Sequence, residues 1–317
     1  MKKKIYSIFI IIIFTILIIS FFSYSKIVNN AINYSIELFI KNIFPSLFPM
    51  FLISSMLISI GVPEFFGNIF KNITAKLFKA KGEASFVFFM SMLTGFPSSA
   101  KYINDLLDKT LINKKEASKI LCFTFFSNPL FIINTVGIMF LNNKKLGFLI
   151  LISHILGNII LGFIVRNFNK SPRVYNNINI KKSLNSFSDN INNTNLFYCL
   201  LASIKESIKV LTVVFGTITS FLIITSIVNH TFNLSANFNM LLTSILEVTS
   251  GLKAISLLNV NMYNKALLSV FFISFGGLSV HAQIMNLLIK KDIPYLAFLV
   301  SRISHAFIST FILAILL

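Results

Sequence analysis

Residues 94–101 (TGFPSSAK) interrupt an apolar segment that extends from about residue 84 to residue 108. Gly95 permits backbone angles that end a helix, and Pro97 suits the first turn of a new one. Neither arm is long enough to cross a bilayer, because a spanning helix needs about 20 apolar residues. The pattern therefore predicts a re-entrant hairpin at 84–108, in which two half-helices enter the membrane and leave on the same side.

The rest of the chain is dominated by apolar blocks of membrane-spanning length. Of its 317 residues, 55% are hydrophobic and 12% are charged, and the mean hydropathy is +0.81. Soluble domains contain about 25% charged residues. We therefore predict an all-α polytopic membrane protein with about seven transmembrane helices plus two re-entrant hairpins in two inverted repeats. The predicted spans are 5–23, 40–60, 117–140, 146–166, 207–228, 266–289 and 295–316.

A second broken segment, 240–258, predicts another hairpin with its break at residues 249–251 (TSG). Each half of the chain then contains a span, a hairpin and two further spans. Three crossings per half invert the second half relative to the first, and inverted repeats with interrupted helices are the architecture of secondary transporters. The predicted organisation is a first repeat at 40–166, a cytoplasmic linker at 167–204 and a second repeat at 205–317.

Matching residues at a nearly constant offset support the two repeats. The offset is about 150 residues, so chance similarity at one position is a weaker explanation than duplication. The matches are residues 98–101 (SSAK) with 250–253 (SGLK), Lys115 with Lys265, and His154 with His305.

The net charge of +18 orients the chain. Most Lys and Arg residues fall in loops that are cytoplasmic if the amino terminus is cytoplasmic, whereas loop 229–239 has none. Residues 1–24 combine a basic start with a long apolar run, which favours a retained signal-anchor helix over a cleaved signal peptide. No nucleic-acid-binding motif accompanies the charge, so the lipid bilayer is the expected partner.

The first half contains four candidate substrate-binding residues. Ser98, Ser99 and Lys101 lie at the start of the second half-helix of the hairpin, where free N–H groups and a positive charge favour an anion. The alternative is a capped turn whose lysine reaches for the membrane interface. Asn128 lies beside a proline that interrupts the next span, and helix packing is its alternative role.

The second half adds further candidates. A carboxylate at membrane depth is costly, so Glu247 predicts either a coupling site for H⁺ or Na⁺ or an ion pair with Lys253 or Arg302. Arg302 suits a substrate carboxylate, and an inter-repeat salt bridge is its alternative. His305, one turn from Arg302, belongs with Glu247 and Lys253 to the predicted coupling site or structural ion pair. Because basic groups outnumber Glu247, a small anion is the predicted substrate. The other substrate-binding candidates are Thr249, Ser250, Gly276, Gly277, Ser279, His281 and Gln283.

The sequence offers no catalytic constellation, phosphate-binding loop or metal-ligand spacing, so we expect neither enzymatic activity nor a cofactor. The expected partners are a small-molecule anion, a coupling ion (H⁺ or Na⁺), lipid and a second copy in a homo-oligomer.

Four stretches resemble the YlbJ family of sporulation integral membrane proteins, which is related to the nucleoside-recognition (Gate) domain proteins. The similarity covers about residues 40–317, and the stretches are 94–101, 126–131 (FSNPLF), 246–252 (LEVTSGL) and 274–283 (SFGGLSVHAQ). The resemblance implies a multi-pass protein of the bacterial cell membrane, and of the outer forespore membrane during sporulation. It also implies uptake of dipicolinic acid into the forespore.

The leading functional hypothesis is thus transport of a small organic anion, dipicolinic acid, in sporulation. Hydroxyl-rich hairpins and Glu247 also suit a nucleoside or another polar solute. A non-transporting structural protein of sporulation is the alternative of a different class, and the hairpins argue against it, because broken helices at membrane depth are tolerated where they line a cavity.

Overall fold

The computed structural model describes residues 18–169, 180–232 and 234–317, together with Ile11 and Thr15. Most of the predicted signal-anchor helix at 1–24 and residues 170–179 of the predicted linker lie outside this part of the chain. Throughout the described residues the regular structure is helical, without strands. This confirms the prediction of an all-α polytopic membrane protein.

By length and composition, four helices of the described chain are able to cross a membrane, and a bent pair adds a fifth. The bent pair is Ser25–Ile43 with Leu47–Ser59, which meet at 53°. The total of seven spans stays a prediction, since some predicted spans are built from shorter helices. The four candidate spans are Lys144–Asn167, Leu196–Phe232, Met262–Lys291 and Tyr295–Leu316, and the third of them is interrupted at Gly276.

The first half of the described chain forms short helices followed by one long one. A π-helical turn, Phe39–Ile43, joins the first two, and α7 also has π-type hydrogen bonding. The helices are α1 (Ser25–Leu38), α2 (Phe44–Ser59), α3 (Val62–Leu77), α4 (Ala84–Thr94), α5 (Ser98–Asp108), α6 (Lys114–Phe123), α7 (Phe131–Phe140) and α8 (Lys144–Ile164).

The second half of the described chain combines one helix of 37 residues, Leu196–Phe232, with shorter helices. The part of the predicted linker that is described contains a helix, and α10 begins before residue 205. The helices are α9 (Ile180–Asn193), α10 (Leu196–Phe232), α11 (Ala236–Leu246), α12 (Val248–Leu257), α13 (Met262–Phe275), α14 (Gly277–Leu288) and α15 (Tyr295–Leu316).

The two hairpin breaks differ in how well the sequence predicted them. The first break lies between Thr94 and Ser98, as predicted. The second lies at Glu247, and the prediction of residues 249–251 was wrong. Glu247 caps the amino end of α12, which allows helix to form immediately after it. Gly251 instead lets α12 approach α11 closely, because a Cβ atom there would lie 2.3 Å from the Ser244 Cα atom.

Two predicted spans are broken rather than continuous. The span predicted at 117–140 divides into α6 and α7, which are separated by non-helical residues 124–128. The span predicted at 266–289 divides at Gly276 into α13 and α14. In the first case Pro129 cannot donate the backbone bond that would continue the helix.

Contacts between the halves are reciprocal. Helix α8 packs against α15, α6 contacts α15 while α13 contacts α8, and α5 contacts α14 while α7 contacts α12. One hydrophobic core cluster includes residues of both halves. Reciprocal contacts are what two related repeats would produce, and their inverted relationship stays a prediction.

Candidate functional site

In each half the hairpin turn packs against the broken helix that follows it. A Cβ atom on Gly95 would lie 2.5 Å from the backbone nitrogen of Asn128. In the second half, a Cβ atom on Gly277 would lie 3.0 Å from the nitrogen of Val248. Both glycines have positive φ angles, +81° and +69°, which residues with side chains rarely adopt. Glycine is therefore required at both contacts for sterics and for backbone conformation.

The two broken helices also meet each other through Phe125. Its ring stacks on that of Phe96, with 5.0 Å between the ring centroids. On the other side it lies against Gly276, where a Cβ atom would be 2.5 Å from the ring. All four helix breaks are thereby joined by direct contacts.

A cavity of about 350 Å³ lies beside these breaks. Its volume is within the range of small-molecule binding sites. Phe96, Asn128 and Glu247 contribute one wall, and residues of α10 and of the α1–α2 junction contribute to the rest of the lining. The polar lining residues are Lys41, Asn42, Ser127, Asn128, Asn134, Thr135, Glu247, Thr249 and Gln283.

Four of the predicted residues line this cavity: Asn128, Glu247, Thr249 and Gln283. The Asn128 side chain accepts hydrogen bonds from Leu130 N at 2.8 Å and from Phe131 N at 3.3 Å, so it also caps the start of the following helix. Gln283 is buried, and its Nε2 atom has no hydrogen-bond partner among the described residues. A buried donor that lines a cavity is available to a bound solute.

Glu247 is buried, and its carboxylate faces the amino end of α12. It accepts hydrogen bonds from Thr249 N at 3.1 Å and Ser250 N at 2.7 Å. The predicted ion pair with Lys253 or Arg302 is wrong for the described chain, because neither cation lies within 4.0 Å of this carboxylate. The helix terminus stabilises the charge instead.

Lys101 lies away from the cavity, in contacts that neutralise its charge. It is buried and donates hydrogen bonds to Asp105 Oδ2 at 2.8 Å and to Ser55 Oγ at 2.7 Å. The alternative of a lysine that reaches for the membrane interface is therefore wrong. Ser98 is also enclosed, since it accepts a bond from Thr94 Oγ1 at 2.5 Å and donates to Gly95 O. Ser99 is buried without a hydrogen-bond partner among the described residues.

Arg302 is completely buried and contacts backbone rather than a carboxylate. Its guanidinium donates to Cys122 O, at the end of α6, and lies 4.6 Å from the Phe125 ring centroid. No salt bridge to Arg302 occurs in the described chain, so the alternative of an inter-repeat salt bridge is wrong. The arginine instead satisfies carbonyls that the helix break leaves without intrahelical partners.

Two histidines connect the broken helices to the long helices. His154 Nε2 accepts a hydrogen bond from Ser127 N at 3.0 Å, which leaves Nδ1 to donate to Ser274 Oγ at 2.9 Å. His305 Nε2 donates to His154 O at 2.9 Å. One neutral imidazole therefore bridges the break before α7 and the end of α13.

The remaining predicted residues surround the second broken helix without lining the cavity. His281 donates through Nε2 to Phe275 O at 2.9 Å, the carbonyl next to the break. Ser279 is buried without a partner among the described residues. Gly276 and Gly277 form the break, and Ser250 lines a separate pocket.

The chain is similar to the sporulation integral membrane protein YlbJ of Bacillus subtilis (strain 168). The two are 29% identical over 289 residues, which covers 82% of this chain and 70% of YlbJ. The family resemblance predicted from the sequence is therefore confirmed. No solved structure matches the chain.

A family model described as Gate, nucleoside recognition, matches residues 40–144. This region contains the first hairpin and the first broken helix, and it includes Phe96 and Asn128 of the cavity. Glu247 and Gln283 lie outside residues 40–144.

Sequence reasoning missed several cavity residues. Asn134 and Thr135 lie in an apolar run directly after a proline break, and this polar pair was a usable signal. Phe96 and Phe131 gave no such signal, because phenylalanine occurs 36 times in the chain. Lys41 lies at the start of the span predicted at 40–60, a position that gave no sign that it lines the cavity and pairs with Glu37 at 2.6 Å.

Proposed function

We propose that this chain is a membrane transporter that acts in spore formation and moves a small organic solute through the cavity beside the helix breaks. The contact of four helix breaks beside one cavity carries the proposal. Irregular backbone at membrane depth is tolerated where it is buried or lines a cavity, and transporters bind their substrates at interrupted helices. Similarity to a sporulation membrane protein supports the biological setting.

Dipicolinic acid is the first candidate substrate. It is a small planar aromatic dicarboxylate, for which the Phe96 ring offers a stacking surface and Gln283 offers an unpaired amide donor. Glu247, however, places a negative charge in the same cavity. A dianion beside this carboxylate requires a neutralising cation, so the proposal includes co-transport of H⁺ or Na⁺ at Glu247.

A nucleoside is the second candidate, and the cavity lining favours it. Carboxylate, amide and hydroxyl groups suit a neutral ligand with several donors and acceptors. Of the two predicted anion-binding cations, Lys101 is paired with Asp105 and Arg302 is engaged with backbone. The match to a nucleoside-recognition family model points in the same direction.

Uptake by purified protein in liposomes separates the two candidates. Labelled dipicolinate and labelled uridine would each be offered under an inward Na⁺ gradient, an inward H⁺ gradient or no gradient. Gradient-dependent uptake of dipicolinate alone would support the first candidate, and uptake of uridine alone would replace it with the second. Uptake of neither solute under any gradient would contradict transport of both.

A strain that lacks the gene tests the biological setting. We expect normal dipicolinate in the mother cell and depleted dipicolinate in the spore. Normal spore dipicolinate in a strain without a related gene would contradict the dipicolinate proposal and leave the nucleoside candidate to be tested in liposomes.

A further inference from the structure

A second pocket, of about 250 Å³, adjoins α12 at Ser250 and Lys253, next to the cavity residues 247–249. It is lined by Tyr34, Thr225, Asn229, Thr243, Ser250 and Lys253, among others. We propose that this pocket binds the carboxylate group of a small organic anion. This inference rests on the proposed function as a transporter, and it adds a second site, outside the cavity, at which an anionic solute binds.

The positive charge in this pocket lacks a counterion in the described chain. Lys253 is exposed, its ammonium lies 5.3 Å from the centroid of the Tyr34 ring, and no carboxylate lies within 4.0 Å of it. The nearby acid of α1, Glu37, is already paired with Lys41 at 2.6 Å. An ammonium on an aromatic face, without a counterion, attracts an anion.

The pocket also contains a second donor beside Lys253. Ser250 Oγ is buried in this pocket, next to the Tyr34 hydroxyl. Hydroxyl donors beside an ammonium favour an anionic ligand. The Ser250 hydroxyl and the Lys253 ammonium are three residues apart on one face of α12, where both donors reach the same anion.

The position of the pocket separates it from the cavity. Val214 and Ile218 of α10 line the cavity, whereas the pocket is lined by α10 residues from Leu222 to Asn229. At about 1.5 Å per residue, the two sites are roughly 14 Å apart along that helix. Residue 250 links them, because its backbone N–H donates to Glu247 at 2.7 Å while its side chain faces the pocket.

Equilibrium binding of dipicolinate to the full-length protein, in nanodiscs of neutral phosphatidylcholine, tests this inference. Lys253→Gln is expected to weaken binding about tenfold or more, because a hydrogen bond to a charged group contributes about 1.5–3 kcal/mol. Lys253→Arg should remain within about threefold of the wild type because it keeps the charge. Lys144→Gln, an exposed lysine at the start of α8, is the matched control and should bind normally.

Wild-type affinity in Lys253→Gln would overturn the inference. So would displacement of dipicolinate by phosphatidylglycerol in a manner that needs Lys253, because the pocket would then hold a lipid phosphate. Binding that depends on Lys253, without uptake of dipicolinate in liposomes, would support the site and contradict the proposed transport. Uptake with unaltered affinity in Lys253→Gln would contradict the site and leave transport intact. Thermal unfolding of each variant excludes a folding defect.

Discussion

The two hairpins have similar sequences just after their breaks, at residues 98–101 and 250–253, but their charged residues lie in different surroundings. In the first hairpin, Lys101 is buried and neutralised by Asp105, so its charge stabilises the fold. In the second, Glu247 lines a cavity and Lys253 is exposed without a counterion in the described chain. The comparison teaches that charged residues at matching positions of two hairpins can be buried in an ion pair in one half and lie beside a cavity or a pocket in the other.

The largest expected effect is the loss of Lys101. Lys101→Met leaves the largely buried carboxylate of Asp105 without its partner, and breaking a buried pair in this way costs about 3–5 kcal/mol. The double variant Lys101→Met/Asp105→Leu should recover most of that stability. A thiol-reactive dye can report unfolding, because both cysteines are buried. A stable Lys101→Met protein with a selective loss of anion uptake would instead give the first hairpin a binding role.

Glu247→Gln should have the opposite profile. We expect uptake to fall about a hundredfold, equivalent to about 2.7 kcal/mol, because the amide cannot carry the charge that holds the cation. Stability should change little, since the amide oxygen still accepts a capping bond from α12. Asp292→Asn, in the exposed pair with Lys114 away from the cavity, is the control. If Glu247→Gln kept both the uptake rate and its dependence on the cation, Glu247 would not be the coupling site, and the second hairpin would lose its functional role.

Arg302 tests whether a second buried cation stabilises the fold, as Lys101 does, or binds the substrate. Arg302→Met leaves Cys122 O unpaired in a buried environment and should cost about 2 kcal/mol. We expect the remaining folded protein to bind dipicolinate with wild-type affinity, because Arg302 lies outside the cavity and the pocket. Normal stability together with lost dipicolinate binding would show that Arg302 contacts the substrate directly.

The sequence predicted features that depend on a residue's own backbone better than features that depend on contacts with residues far away in the chain. The first break was readable because Gly95 and Pro97 act through their own backbones. The second break was predicted at the wrong residues because Glu247 caps helix α12. The sequence shows a glutamate there but does not reveal whether it caps a helix or binds a coupling ion. The partners of Arg302 are carbonyls about 180 residues earlier in the chain, which no local pattern specifies.

The residues of the candidate site were likewise predicted where their own type stands out in the sequence and missed where it does not. Asn128, Thr249 and Gln283 were correctly placed near broken helices, since polar residues in apolar segments stand out. The place of Phe96 in the cavity lining was not predictable, because the sequence does not distinguish it from the phenylalanines that face lipid. The neutralisation of Lys101 was available from its spacing to Asp105, four residues later on one helix face.

The smallest expected effects come from the aligned serines of the two turns. Ser98 is hydrogen-bonded to Thr94 and Gly95, so Ser98→Ala should lower the free energy of unfolding by about 1 kcal/mol and leave dipicolinate binding unchanged. The Ser250 hydroxyl lies in the second pocket beside Tyr34, so Ser250→Ala should change stability little and weaken dipicolinate binding about threefold. Unfolding and binding measured on both variants would give opposite patterns. If the two alanine variants behaved identically, the two serines would not differ in role. Only Lys101 and Glu247 would then distinguish a structural first hairpin from a ligand-binding second hairpin.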